Sequence, residues 1–388
     1  MKIGIITHPL YTNYGGLLQA YALQTTLERL GHEAFEIELK RKKRQLPFWK
    51  MPLCISKRIL KKYVLGCKMQ KILVENYENH IWPIITQNTQ QFVDKYLNQR
   101  LIENYDDLDH NFDAFIVGSD QVWRYKYYPW FGNDIANVYL KFASPQSIKI
   151  AYAASFGTDL WEYPQDKTEE CKMLSQKFRA ISVREKSGIK LCHDFLDVNA
   201  TFVLDPTMLL KKADYESLIN TESLAESADR LFCYVLDRNT IQDNIIKDIA
   251  KNMKLTPYYV NANVYDSYSP IKDRIQPAVE NWLCGFRDSD YVITDSFHAC
   301  VFSIIFHKQF AVIGNEGRGM ARFNSLLSLF GLENRLVTSS QQILSLPLID
   351  FDAIDEKLST LRTESLNFSL VRSLLPSVTH TVCSFSLG

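Results

Sequence analysis

KIGIITHPLYTNYGGLLQAYALQTTLERLGHEAFEIEL, residues 2–39, decides the reading of the fold. KIGIIT is a short apolar strand, and HPLYTNYGG (8–16) is a polar loop rich in turn formers. Leu17, Leu18, Tyr21, Ala22, Leu27 and Leu30 then recur at helical spacing, which gives one apolar helix face. Gly31 supplies a helix stop, and EAFEIEL (33–39) reads as a second strand. A strand, loop, helix and strand of these lengths form a βαβ unit, a Rossmann-like half whose loop lies at the carboxyl end of strand one. The loop lacks G-x-G-x-x-G, so a nicotinamide cofactor is not supported.

The same design continues outward. FDAFIVGSD (112–120), SIKIAYAASFG (147–157), FRAISVREKSG (178–188) and ATFVLDPTMLL (200–210) are apolar strands that run into Gly, Ser, Asp or Arg. Polar groups therefore gather along one edge of a parallel sheet, where open α/β folds bind ligands. A second alternation of strands and helices begins near residue 229 with RLFCYVLD and continues through YVITDS, FHACVFSIIFHK and QFAVIGN. The expected fold is α/β, two Rossmann-like domains facing a cleft, with C-terminal helices. The expected boundaries are 1–215 for the N-terminal domain, with a basic helical insertion over about 40–100. The C-terminal domain is expected over 216–345, followed by a helical tail over 346–388.

At 388 residues the chain exceeds what one core usually serves, in keeping with two domains. Lys+Arg and Asp+Glu are equal at 44 each, which argues against a nucleic-acid partner. The eight cysteines show no C-x-x-C pair, so no metal site is expected, and reduced thiols suit a cytoplasmic protein. No apolar run is long enough to span a membrane. Charge is nevertheless uneven, because Lys40 to Val74 contains no Asp or Glu. Within that region, residues 56–82 read as one basic amphipathic helix. It is either a solvated face beside a mobile loop or, over 40–72, a surface for anionic lipid at the inner face of the membrane or for a phosphate-linked acceptor.

In YVITDSFHACVFSIIFHKQF (291–310), His298 stands where a buried strand gives way to a helix. A histidine among apolar residues is most often structural, and the rest of the chain must decide. NYGGLLQAYALQ, FDAFIVGSDQVW, AYAASFG, ISVREKSG, VLDPTMLL, YVITDSFHACVFSIIF and RFNSLLSLFGL occur in this order. Together they resemble the polysaccharide pyruvyl transferase family over about Met1–Leu336. The resemblance implies a two-domain, GT-B-like enzyme of polysaccharide biosynthesis, with the acceptor on the side of the N-terminal domain (1–215) and the donor on the side of the C-terminal domain (216–345). Its members transfer a pyruvyl group from phosphoenolpyruvate to two hydroxyls of a glycan or lipid-linked sugar, forming a cyclic ketal with no cofactor.

That chemistry needs cations and backbone N–H groups for a carboxylate and a phosphate, a proton donor for carbon 3, and a group to handle the sugar hydroxyls. In the family context His298 becomes the leading catalytic candidate, and Asp120 is expected to orient a hydroxyl or take its proton. Arg184 and Ser296 are the expected donor-binding residues. Some branches of the family carry Arg-Leu-His where this chain has Ser296-Phe297-His298, so Arg318 or Arg322 is expected to replace the missing cation. Asn13, Tyr14, Gln121 and Trp123 are the acceptor-side candidates, while Asp205-Pro206 reads as a strand end and turn. A nucleotide-sugar glycosyltransferase and a non-catalytic glycan-binding relative are the competing readings.

Overall fold

The computed structural model describes residues 1–66, 71–108, 111–219, 229–314, 320–367 and 374. Its first sheet is wholly parallel and contains β1 (Lys2–Ile6), β2 (Glu33–Leu39), β3 (Gln99–Ile102), β4 (Ala114–Val117), β5 (Ile148–Ala154), β6 (Ala180–Val183) and β7 (Thr201–Phe202). The order β3-β2-β1-β4-β5-β6-β7 reverses direction between β1 and β4. The second sheet contains β8 (Arg230–Tyr234), β9 (Thr256–Tyr258), β10 (Tyr291–Thr294), β11 (Gln309–Ile313) and β12 (Leu336–Val337). Its order, β12-β11-β10-β8-β9, reverses between β8 and β10. Each sheet thus opens a crevice at the carboxyl ends of its two central strands, the usual ligand position in doubly wound folds. These paired sheets are the two Rossmann-like halves expected from the chain.

Helices α1 (Tyr14–Arg29), α2 (Met51–Tyr63), α3 (Val74–Ile85), α4 (Gln87–Tyr96), α5 (Gln165–Ser175), α6 (Lys186–Leu191) and α7 (Lys212–Glu216) accompany the first sheet. Helices α8 (Thr240–Met253), α9 (Ile271–Arg274), α10 (Val279–Arg287), α11 (Phe297–Ile305), α12 (Met320–Phe330), α13 (Ser340–Leu344) and α14 (Phe351–Ser365) follow. The single basic helix expected over 56–82 is instead α2 and α3, separated by Gly66 at φ +61° and by residues outside the description. A left-handed glycine stops an α-helix even where charge spacing runs on.

The insertion does not stay with the first half. Glu78 of α3 receives two hydrogen bonds from the buried Arg274 guanidinium, at 3.1 and 2.8 Å, and Gln276 N–H donates to Ile85 O at 2.8 Å. The tail crosses the other way, with Arg362 donating to the carbonyls of Met208 and Leu210. One apolar cluster joins the halves directly, running from Leu17 and Leu18 of α1 to Trp282 of α10 and Phe302 of α11. Such a shared core fixes the crevices relative to each other more firmly than a polar domain contact would. No helix among the described residues is long and apolar enough to cross a membrane.

Candidate functional site

The two crevices meet in a cavity of about 560 Å³. Thr12 and Asn13 line it from the loop after β1, and Asp120 and Gln121 from the loop after β4. The second half contributes Leu236, Asn261, Tyr265, Asp295, Ser296, His298 and Arg322. The sequence TDSFH builds one wall residue by residue. Thr294 Oγ1 donates to Tyr234 O at 2.7 Å and accepts from Ser296 N–H at 2.9 Å, which locks the end of β10. Asp295 accepts from the N–H groups of Leu236 and Asp237 at 2.7 and 3.1 Å, which holds the loop after β8 against the cavity. Ser296 stands at the N-cap position of α11, but its side chain makes no capping bond. Asn13 stands likewise at the start of α1. Two helix N-termini, one from each half, therefore face the same space with backbone donors available.

His298 is 6% exposed, and its Nε2 lies 3.7 Å from Asp205 Oδ2. Its opposite edge lies over Gly15, where an added Cβ would come within 2.1 Å of Nδ1. Gly15 is therefore required by the close approach of α1 to the imidazole. Asp205 sits at the end of the VLDP strand and does two jobs. Its Oδ1 accepts from Thr207 N–H and hydroxyl, the expected turn, while its Oδ2 accepts from Arg184 Nη1 at 2.7 Å and Ser119 Oγ at 2.9 Å.

Arg184 also donates to Asp120 Oδ1 at 3.1 Å, and its guanidinium lies 4.6 Å from the centre of the Phe297 ring. Arg322 approaches the same Asp120 oxygen at 3.9 Å. Burial opposes ionisation of Asp120, but Arg184, His8, His298 and Arg322 together hold its carboxyl well below the usual range. Asp205 is likewise held well below the usual range against the same burial, by His298 close to its Oδ2 and then by the Arg184 guanidinium. Burial, followed by repulsion from Arg184, brings Arg322 down to about 10, so it remains a cation at neutral pH. Asp120 itself adopts φ +67°, a left-handed conformation that Asp tolerates better than most residues.

The structure brings His298, Asp120, Ser296, Arg322, Asn13 and Gln121 to the cavity. Three expectations need correction. Tyr14 does not reach the cavity: it is fully buried, stacks on Trp282 and donates its hydroxyl to Pro277 O at 2.8 Å. Trp123 is a core residue, stacked on Tyr139 with its indole N–H on Val138 O. Both sit in motifs, yet an aromatic ring in an apolar setting is worth more buried than exposed. Arg184 lies beneath the cavity rather than on its wall, with both terminal nitrogens given to carboxylates. Arg318 lies outside the described residues.

Several contributors were not among the candidates. Asp205 carried the right signal, an Asp at a strand end, but its partner is 93 residues away in sequence. Glu185 accepts from Ser155 hydroxyl and from the N–H groups of Phe156 and Gly157, so the E of SVREKSG pins the AASFG loop. His8 follows β1 as His298 follows β10. Its ring nitrogens make no hydrogen bond of ordinary geometry, though the Gln121 backbone lies near, and burial lowers its pKa. No group of three or more metal-binding side chains occurs among the described residues.

The sequence model of the family described as polysaccharide pyruvyl transferase matches residues 13–317. The chain belongs to that family. The matched region of this polysaccharide pyruvyl transferase family member contributes to the cavity from both halves, from Asn13 through His298, while Thr12, Arg322 and Phe323 line it from just outside the match. No curated protein matches the chain. Among solved structures, it is similar to Staphylococcus aureus MnaA bound to UDP, with 13% identity, TM-score 0.45, and coverage of 95% of this chain and 91% of that one. It is similar also to Neisseria meningitidis UDP-GlcNAc 2-epimerase bound to UDP-GlcNAc, with 9% identity, TM-score 0.45 and 94% coverage of each chain. Arabidopsis thaliana UGT89C1 with UDP-L-rhamnose gives 10% identity, TM-score 0.43 and 94% coverage of each chain. Similarity at this level carries nothing about function.

Proposed function

We propose that this family member transfers a pyruvyl group from phosphoenolpyruvate to two hydroxyls of a glycan or lipid-linked sugar, forming a cyclic ketal. The observation that carries the reading is His298 at the cavity floor, backed by Asp205 and flanked by the two uncapped helix starts and Arg322. Phosphoenolpyruvate brings a carboxylate and a phosphate. Helix N-termini and a guanidinium are the groups that bind such anions without metal. Arg322 is the cation that replaces the arginine absent at position 296.

In the proposed reaction His298 gives a proton to carbon 3 of phosphoenolpyruvate, which leaves carbon 2 electron-poor. A sugar hydroxyl oxygen then bonds to carbon 2 as its proton passes to the now neutral His298, which restores the imidazolium. A second hydroxyl bonds to the same carbon as the C–O bond to phosphate breaks, and its proton leaves with the inorganic phosphate. Asp205 orients the imidazole and balances its charge whenever it is protonated. Asp120 is assigned to hold a hydroxyl rather than to take its proton, because a carboxylate held so far below its ordinary range is a weak base. Gln121 and Asn13 serve the acceptor from the first half.

The test is calorimetric titration of phosphoenolpyruvate into the protein and into His298→Ala, with nucleotide sugars in parallel. Millimolar or tighter binding that weakens at least about tenfold in the variant, about 1.4 kcal/mol, is expected. Binding of a nucleotide sugar in place of phosphoenolpyruvate would replace this reading with glycosyl transfer. Binding of neither would favour a non-catalytic relative.

A further inference from the structure

Residues 48–65 do not pack as a surface helix normally does. Met51, Cys54, Ile55, Arg58 and Lys62 of α2 form the half-buried stripe, at the spacing of one helix face. Arg58 fixes that stripe to the body through two hydrogen bonds to Glu75, at 2.8 and 2.7 Å, and one to Ile72 O. The outward side should then be polar. Instead Trp49 is 75% exposed, Leu53 74%, Leu60 51% and Val64 69%. Lys57 and Lys61 stand between these residues on the same exposed side. An apolar stripe of this size held away from the core marks a contact with something else.

We propose that this outward face of α2 lies on an anionic bilayer surface, with Trp49, Leu53, Leu60 and Val64 in the headgroup boundary and Lys57 and Lys61 against lipid phosphates. Charge selects this occupant. Residues 40–65 hold ten cations and no Asp or Glu, although the whole chain balances at 44 of each sign. A second copy of the chain would set lysine against lysine, and nucleic acid would leave the tryptophan and leucines uncovered. An interfacial helix rich in Lys and Arg, with apolar side chains beside them, matches both features of a lipid surface at once. The segment just before it in the chain is cationic as well, and Lys40, Arg41, Lys42 and Arg44 line a cavity of about 360 Å³. The inference stands independently of the pyruvyl-transfer reading.

Flotation of the full chain with phosphatidylcholine vesicles, with and without about 30 mol % phosphatidylglycerol, tests it. Partitioning onto the anionic vesicles should exceed that onto neutral ones about tenfold and fall in high salt. Lys57→Glu with Lys61→Glu should remove that preference. Leu53→Ser with Leu60→Ser should cut binding about tenfold on both vesicle types. The circular dichroism spectrum and the urea unfolding midpoint should be unchanged in both double variants, which reports that they are folded. Equal recovery on both vesicle types, or unaltered binding by either variant, would overturn the proposal. So would a dimer in sedimentation that Leu53→Ser with Leu60→Ser dissolves, because the face would then join two copies.

Discussion

Asp120 and Asp205 on one side of the first sheet, and Glu36 and Glu38 on β2, are all at least nine-tenths buried, yet their ionisation is pushed in opposite directions. Asp120 and Asp205 share the Arg184 guanidinium and stay charged. Glu36 has no hydrogen-bond partner on either oxygen, and burial drives its carboxyl far above the ordinary range. Glu38 accepts from the Gln99 side chain and from Leu10 N–H, with no cation among these partners, and burial raises it to about 7. Burial alone therefore does not decide the charge of a site; a cation within hydrogen-bond reach does. The buried aspartates beside the candidate cavity stay ionised, whereas on β2 Glu36 is held neutral and Glu38 is part-protonated near pH 7.

Removing the shared cation breaks the comparison most severely. Arg184→Met leaves two carboxylates buried with no guanidinium between them, and unfolding in urea should show a loss of about 3–5 kcal/mol. A variant as stable as the wild type would mean that the Asp120–Arg184–Asp205 cluster is not what holds this edge of the sheet.

A second substitution separates the histidine from that cluster while leaving every charge in place. Gly15→Ala puts a Cβ where His298 stands, so the ring must leave Asp205. If the chain carries out the proposed pyruvyl transfer, the expected result is about a 100-fold fall in its kcat/KM, about 2.7 kcal/mol. The circular dichroism spectrum should be unaltered. Wild-type turnover in this variant would detach catalysis from the position of His298.

The third sharpens the other side of the comparison. The folded-state pKa of Glu38 is raised above its ordinary 4.5, so the native state binds the extra proton. Its favourable contribution is complete below about pH 4.5 and is lost as pH rises through about 7. Glu38→Gln should therefore stabilise the protein by roughly 2 kcal/mol at pH 8 and by almost nothing at pH 4. Equal effects at both pH values would show that Glu38 titrates in the folded protein as it does in solvent.

Local pattern carried much of this molecule. The period-3.6 face of Leu17 to Leu30, the strand of YVIT and the capping position of Ser296 depend on near neighbours, so the two α/β halves and the strand-to-helix placement of His298 were readable from the chain. The motif aromatics Tyr14 and Trp123 were misread because spacing reports which residues recur, not which side of a loop they face. The break between α2 and α3 was missed because one left-handed glycine outweighs a run of charges that continues past it.

What only the tertiary structure decided is which distant groups share a dielectric environment. Asp205 meets His298 only after the two sheets close on one cavity, and Arg184 meets Asp120 only once β4 and β6 lie in one sheet. The amino-acid order determined the strands that deliver these groups. Their charges were decided by burial and by a partner 64 or 93 residues away, because a Coulomb interaction depends on separation in space and on the medium between the groups.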